Sequence, residues 1–153
     1  MTAVDDRLAA LGLVLPEVAK PAGAYVPALI SGSLVFTAGQ LPSTAGVLPA
    51  TGKVGAEVTP EAAKDYARIC VLNGLAAAKS VLGSLQRIQK VVKVVGFVAS
   101  DPSFTGQPGV INGASELLGE IFGDAGAHAR SAVGVAVLPL DSPVEIEFIF
   151  EIA

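Results

Sequence analysis

One arginine and two glutamates stand among small and apolar residues in HARSAVGVAVLPLDSPVEIEFIF, positions 128–150. A guanidinium is a planar fork that grips a carboxylate through two charge-assisted hydrogen bonds, a geometry lysine cannot reproduce. A carboxylate can hold a water, take a proton from it and pass protons on. An arginine and a carboxylate here, Arg130 with Glu145 or Glu147, are of the types that can orient an anion and handle water beside it. Other chemical signatures fail on inspection. GVLPATGKV at 46–54 has five residues between its glycines where a phosphate loop has four, and Val follows its Lys where that loop needs Ser or Thr. There is no GxSxG and no His/Cys metal set, and Ser84 and Ser131 have no histidine partner by sequence. Cys70 lies in the apolar spacing of a helix, which reads as a small core residue rather than a nucleophile. His128, the only histidine, has the right chemistry for proton transfer near neutrality, but its place between helix and strand reads as a solvent-exposed loop.

These residues need a frame. Asp5 to Leu13 has the apolar spacing of a short helix that Pro16 would end. AYVPALISGSLVFTAGQLP reads as two strands around the turn Ser31-Gly32-Ser33, followed by a polar Gly/Pro-rich connector at 42–57. Thr59-Pro60-Glu61 supplies an N-cap, a first-turn proline and an acid that complements the dipole, predicting a helix over 59–83. QRIQKVVKVVGFVAS at 86–100 is β-branched and ends at Asp101-Pro102, a strand. A second helix is expected over 108–122 and two final strands near 131–138 and 144–152, paired across a Pro139–Pro143 turn. The order is β-β-α-β-α-β-β, and since each long helix has one apolar side, an α+β domain with two helices on one face of a mixed sheet follows.

Alternation assigns the faces. Val144, Ile146, Phe148, Phe150 and Ile152 share the core side of the last strand, with Glu145, Glu147, Ile149 and Glu151 opposite. In RSAVGVAV, residue size puts Ser131, Val133, Val135 and Val137 on one side and Arg130, Ala132, Gly134 and Ala136 on the other. Arg130 is then expected on the same surface as Glu145, away from the helices, either solvated or covered by another copy of the chain.

The chain of 153 residues is 52% hydrophobic, enough for one sizeable core, and nothing marks a boundary within 1–153. A net charge of −4 and scattered basic residues argue against nucleic acid or an anionic membrane as partner. A single cysteine, acids near the N-terminus where a secretory leader carries Lys or Arg, and no uninterrupted apolar run of spanning length make the cytoplasm the expected compartment.

GAYV at 23–26, FTAGQLP at 36–42, Asn112 near the start of the second helix, ARSAV at 129–133 and LPLDSPVEIE at 138–147 together resemble the RidA/YjgF family from about residue 21 onward, leaving 1–20 as an N-terminal extension. The resemblance implies a chorismate-mutase-like fold, a homotrimer with a cleft at each subunit interface, and hydrolysis of reactive 2-imino or 2-enamino acids to 2-oxo acids and ammonia. It makes Arg130 the holder of the substrate carboxylate and Glu145 the holder of water, with Glu147 an interface or surface partner. Tyr25, Gly39, Asn112 and the backbone at Ala132 would contact the substrate. No metal, cofactor or protein nucleophile is required. Three departures stand out: Ala38 replaces a family serine, Ala132 a cysteine, and His128 a common proline. They leave open a second reading, a non-catalytic trimer that binds small carboxylates as a sensor or chaperone-like module.

Overall fold

The computed structural model describes residues 3–153. In chain order the elements are α1 (Ala3–Ala10), β1 (Ala28–Ser31), β2 (Leu34–Thr37), α2 (Pro60–Leu82), β3 (Ile88–Ala99), α3 (Gln107–Phe122), β4 (Ala129–Val135) and β5 (Val144–Ile152). This is the expected series with one short helix in front. Gly12, not Pro16, ends α1. At φ +71° it lets its own N–H reach Ala9 O and that of Leu13 reach Leu8 O, which satisfies the last carbonyls. The cap on α2 is as expected: Thr59 Oγ1 accepts from the Ala62 N–H at 3.1 Å, Pro60 opens the first turn, and Gly83 closes the helix at φ +78°.

The strands form one sheet in the order β1-β2-β5-β3-β4, antiparallel throughout except for the parallel pair β3–β4. The expected pairing of the last two strands is therefore incorrect: β3 lies between them. A parallel neighbour needs a crossover, which α3 supplies from the end of β3 back to the start of β4. The Pro139–Pro143 segment is accordingly a bridge over β3 rather than a hairpin turn. It holds Leu140 and Asp141 at positive φ, tied down by Lys53 Nζ to Asp141 at 2.6 Å and by the Gly52 N–H to Asp141 O at 2.9 Å. β4 stops at Val135, short of the expected 138, because Leu138 turns inward and is buried.

Helices α2 and α3 cover one sheet face, and α1 lies on α3 with Val4 and Leu8 buried. The core side of β5 is as alternation predicts: Val144, Ile146, Phe148, Phe150 and Ile152 are all buried. Phe148 and Phe150 stack with centroids 5.9 Å apart, and Phe148 presses on α2 where Gly74 leaves room. Among the described residues no helix covers the other face. That face carries Phe36, Val95, Phe97 and Ile149 half-buried, with Leu29 and Val133 49% and 43% exposed; Leu29, Phe36 and Ile149 align across β1, β2 and β5, Phe97 aligns with Val133, and Lys93, Glu145 and Glu147 stand among them.

The two kinds of glycine should separate in unfolding experiments. A Cβ at Gly74 would fall 2.5 Å from two Phe148 ring carbons, so Gly74→Ala is expected to destabilise by about 1–3 kcal/mol. Gly119 is exposed on α3 with open space around it, so Gly119→Ala should stabilise by roughly 0.5–1 kcal/mol. Denaturant titrations of both variants check the pair.

Candidate active site

Glu145 stands on the uncovered face, near the start of β5. Beyond β2 the chain runs on as Ala38-Gly39-Gln40, and Gln40 exchanges both backbone hydrogen bonds with Ile146 at 2.8 and 3.0 Å. That bridge lays Gly39 against Glu145. A Cβ at Gly39 would come within 2.7 Å of Glu145 Oε2, so glycine is needed for close approach rather than for its turn geometry. The carboxyl is half-buried, and burial first and the neighbouring Glu147 second hold it above the usual carboxylate range.

Gly39 opens onto a cleft of about 760 Å³ also lined by Tyr25, Ala38 and Gln40. The Tyr25 ring is half-exposed there, its hydroxyl accepting from the Ala22 N–H at 3.0 Å. Asn73 holds the loop in place: from the buried side of α2 its Nδ2 donates to Leu41 O and Ser43 O, both at 2.9 Å. In the sequence Asn73 is a polar break in an Ala-rich apolar run. A lone amide among buried alanines and leucines is itself a signal, since burial obliges it to find backbone partners.

Arg130 is elsewhere. Register aligns it with Val94 and Phe148, so its side chain leaves the sheet on the helix side, while Glu145 aligns with Phe97 on the open side. The expectation that the two share a surface is overturned. Residue size misled, because α3 lies so close over β3 and β4 that small residues are the ones facing it. A Cβ at Gly96 would meet Ile111 at 2.5 Å, one at Gly134 would meet Gln107 at 2.7 Å, and Ala132 packs against the core. Bulky Val133 points to the open face instead.

The guanidinium is pinned to α3. Nη1 donates to Ser115 Oγ at 3.1 Å and Nη2 to Pro108 O at 3.0 Å. Asn112, in the second turn, lies between those two anchors on the same helical stripe, four residues from one and three from the other. Ser115 Oγ is also 2.9 Å from His128 Nε2, and His128 Nδ1 is 2.6 Å from Gly126 O. His128 is therefore no solvent-exposed loop residue: it is half-buried and engaged at both ring nitrogens. Ser115 was missed because nothing in a helix sequence says that a serine thirteen residues ahead of a histidine will fold back onto it.

One protomer thus separates the candidate residues into two groups. Tyr25 and Gly39 line the cleft, with Glu145 packed against Gly39, whereas Asn112, Arg130 and Ala132 lie at β4 by α3. Two strand spacings across the sheet, three residues along it and the thickness of the sheet separate Arg130 from Glu145, about 14 Å between backbones in the sheet plane alone. This arrangement can be placed among known proteins. A family model described as "YjgF/chorismate mutase-like, putative endoribonuclease" matches residues 5–152. The chain belongs to the YjgF/RidA family. The single α+β domain, a five-stranded sheet with three helices, is thereby a YjgF/chorismate-mutase-like fold.

Among relatives, "Protein TCP17" of Trypanosoma cruzi is 42% identical over 150 residues, 97% of this chain and 94% of that protein. The solved structure of Atu1372 from Agrobacterium tumefaciens, described as of unknown function, is 45% identical with a TM-score of 0.91, covering 99% of this chain and 93% of that one. Escherichia coli TdcF, solved with bound serine, is 27% identical with a TM-score of 0.65 over 91% of this chain and 94% of that one. The YjgF/RidA members thus include one that holds a small amino acid.

The two causes acting on Glu145 can be separated. Carbon-13 NMR titration of the side-chain carboxyls should show Glu147→Gln lowering the Glu145 pKa yet leaving it above 4.5, because burial outweighs the neighbouring charge.

Proposed function

We propose that the protein hydrolyses 2-imino or 2-enamino acids to 2-oxo acids and ammonia in clefts between subunits of a homotrimer, Arg130 of one subunit facing Glu145 of the next. The observation that carries this reading is the state of the Arg130 fork. Two of its five N–H donors are spent on fixed acceptors of α3, and among the described residues no carboxylate pairs with it. A fork held rigid with donors to spare suits an incoming carboxylate. TdcF with its bound serine is a relative that accepts such a group. The half-exposed apolar sheet face supports association, since a run of Leu, Phe, Val and Ile side chains across five strands gains by being covered.

The chemistry needs little else. With the carboxylate held, the protonated C=N carbon faces the water at Glu145. Glu145 takes a proton as the water oxygen bonds to that carbon, and the C=N electron pair moves to nitrogen. The carboxylic acid then returns the proton to nitrogen, and the hydroxyl gives its own proton to the freed Glu145 carboxylate as its oxygen forms C=O and the C–N bond breaks, releasing ammonia; Glu145 passes that proton on to solvent. A carboxyl titrating above its ordinary range suits both steps better than an ordinary one, because its affinity for a proton is nearer the working pH. Asn112 and the backbone of the β4 edge at Ala132 are placed to meet the rest of the acid. Tyr25 and Gly39 are placed to meet its side chain.

A non-catalytic carboxylate-binding trimer is the second reading, favoured by Ala38 and Ala132, neither of which offers a polar side chain. The endoribonuclease wording attached to the family is supported less: at net charge −4 the chain has no cationic track for phosphates. We place the protein in the cytoplasm, with neither nucleic acid nor membrane as partner. Among the described residues no helix is long and apolar enough to cross a membrane.

Hydrolysis of 2-imino acids generated in situ by an amino-acid oxidase tests the reading. Wild type should exceed the spontaneous rate, and Arg130→Ala and Glu145→Gln should each lower kcat/KM by about 10²-fold while the oligomer persists. No acceleration across several side chains, with 2-oxo acids still bound, would favour the binding module. The pH profile is a separate check. Loss of the Glu145 base form on acidification should place the acid limb of kcat/KM above 4.5, the ordinary carboxyl value.

A further inference from the structure

Four groups in sequence separate this chain's arginine from an ordinary half-buried one: Arg130, Ser115, His128 and the Gly126 carbonyl. Hydrogen-bond logic settles the direction of each link. Gly126 O can only accept, so His128 Nδ1 carries the proton and donates to it across 2.6 Å. With no proton on Nε2, that nitrogen can only accept, and it takes the Ser115 hydroxyl proton across 2.9 Å. The Ser115 lone pairs are thereby turned toward Arg130, whose Nη1–H they accept at 3.1 Å.

We propose that His128 is a positioning residue for the substrate-binding fork, acting through Ser115 to fix the plane of the Arg130 guanidinium. The inference rests on the reading that Arg130 holds a substrate carboxylate. A serine hydroxyl alone can rotate and offer its proton where a lone pair is needed. With His128 behind it, the hydroxyl has one favourable orientation, and Ser115 and Pro108 O together hold both ends of the guanidinium while the remaining three N–H groups stay available. The chain bends through α3, the turn before β4 and β4 itself, so the fork is braced by three parts of the fold. Histidine in place of the proline common in the family is then a functional substitution.

Two amide substitutions divide the ring's duties. In His128→Asn the short amide can still donate to Gly126 O but does not reach Ser115. In His128→Gln the longer amide offers Ser115 an acceptor where Nε2 was. The probes are calorimetric binding of pyruvate, the simplest 2-oxo acid, and steady-state hydrolysis of a 2-imino acid. His128→Asn and Ser115→Ala are each expected to weaken pyruvate binding by about tenfold and to raise KM more than they lower kcat. His128→Gln should recover binding to within about threefold of wild type, and adding His128→Asn to Ser115→Ala should cost nothing further, because the histidine acts only through the serine. Equal pyruvate affinity in wild type and His128→Asn, or additive losses in the double variant, would overturn the proposal. If His128→Asn does not fold, Ser115→Ala with unchanged affinity overturns it equally. A wild-type protein that neither binds pyruvate nor hydrolyses imino acids would instead sink the underlying reading of Arg130, and this inference with it.

Discussion

The close seating of α3 on β3 and β4 is the constraint on which the rest depends. Gly96, Ala132 and Gly134 exist as small residues because the helix leaves no room for more, and their neighbour Arg130 leaves the sheet on that same side. Once there it finds the Pro108 carbonyl and the Ser115 hydroxyl within reach and is anchored. The bulky alternate residues of β4 are pushed to the open face, where they extend an apolar surface that no helix of this chain covers. One packing decision thus orients the arginine and leaves a partly apolar face that the described helices do not cover.

Glu145 answers to a different constraint. The Gln40–Ile146 bridge draws a glycine over it, which removes water from one side of the carboxyl, and Glu147 adds a like charge two residues along the strand. Among the described residues no cation offsets either effect. Because the folded state raises its pKa, the group favours folding below the ordinary carboxyl value of 4.5, and that contribution is lost as pH rises through the folded value. The fold therefore keeps an ionisable group where ionisation costs it stability near neutrality. A strained carboxyl of this kind is more often found at a working site than on an idle surface.

Much of this was legible in the sequence and some was not, for physical reasons. The capped helix from Pro60 to Leu82, the hairpin around Gly32 and the alternating core of β5 rest on local chemistry, and local chemistry is what a sequence shows. The segments resembling the RidA/YjgF family led to Tyr25 and Gly39, which line one cleft, and to Glu145, against which Gly39 packs. The side of the sheet that Arg130 takes depends on strand order and on how closely a helix approaches, and neither is encoded in the residues around it. Ser115 and His128 are joined only through the turn after α3, so their partnership with Arg130 had no sequence pattern to reveal it.

Subunit complementation tests the central claim, that the working site joins the Arg130 side of one chain to the Glu145 side of another. Co-expressing Arg130→Ala and Glu145→Gln chains with different affinity tags, and isolating the doubly tagged hybrids, gives oligomers in which some interfaces keep both intact groups. In a closed head-to-tail trimer every hybrid that holds both chain types has one intact interface in three, so activity should return to roughly a third of wild type. Hybrids as inactive as either parent would show that the two residues do not work across a subunit boundary.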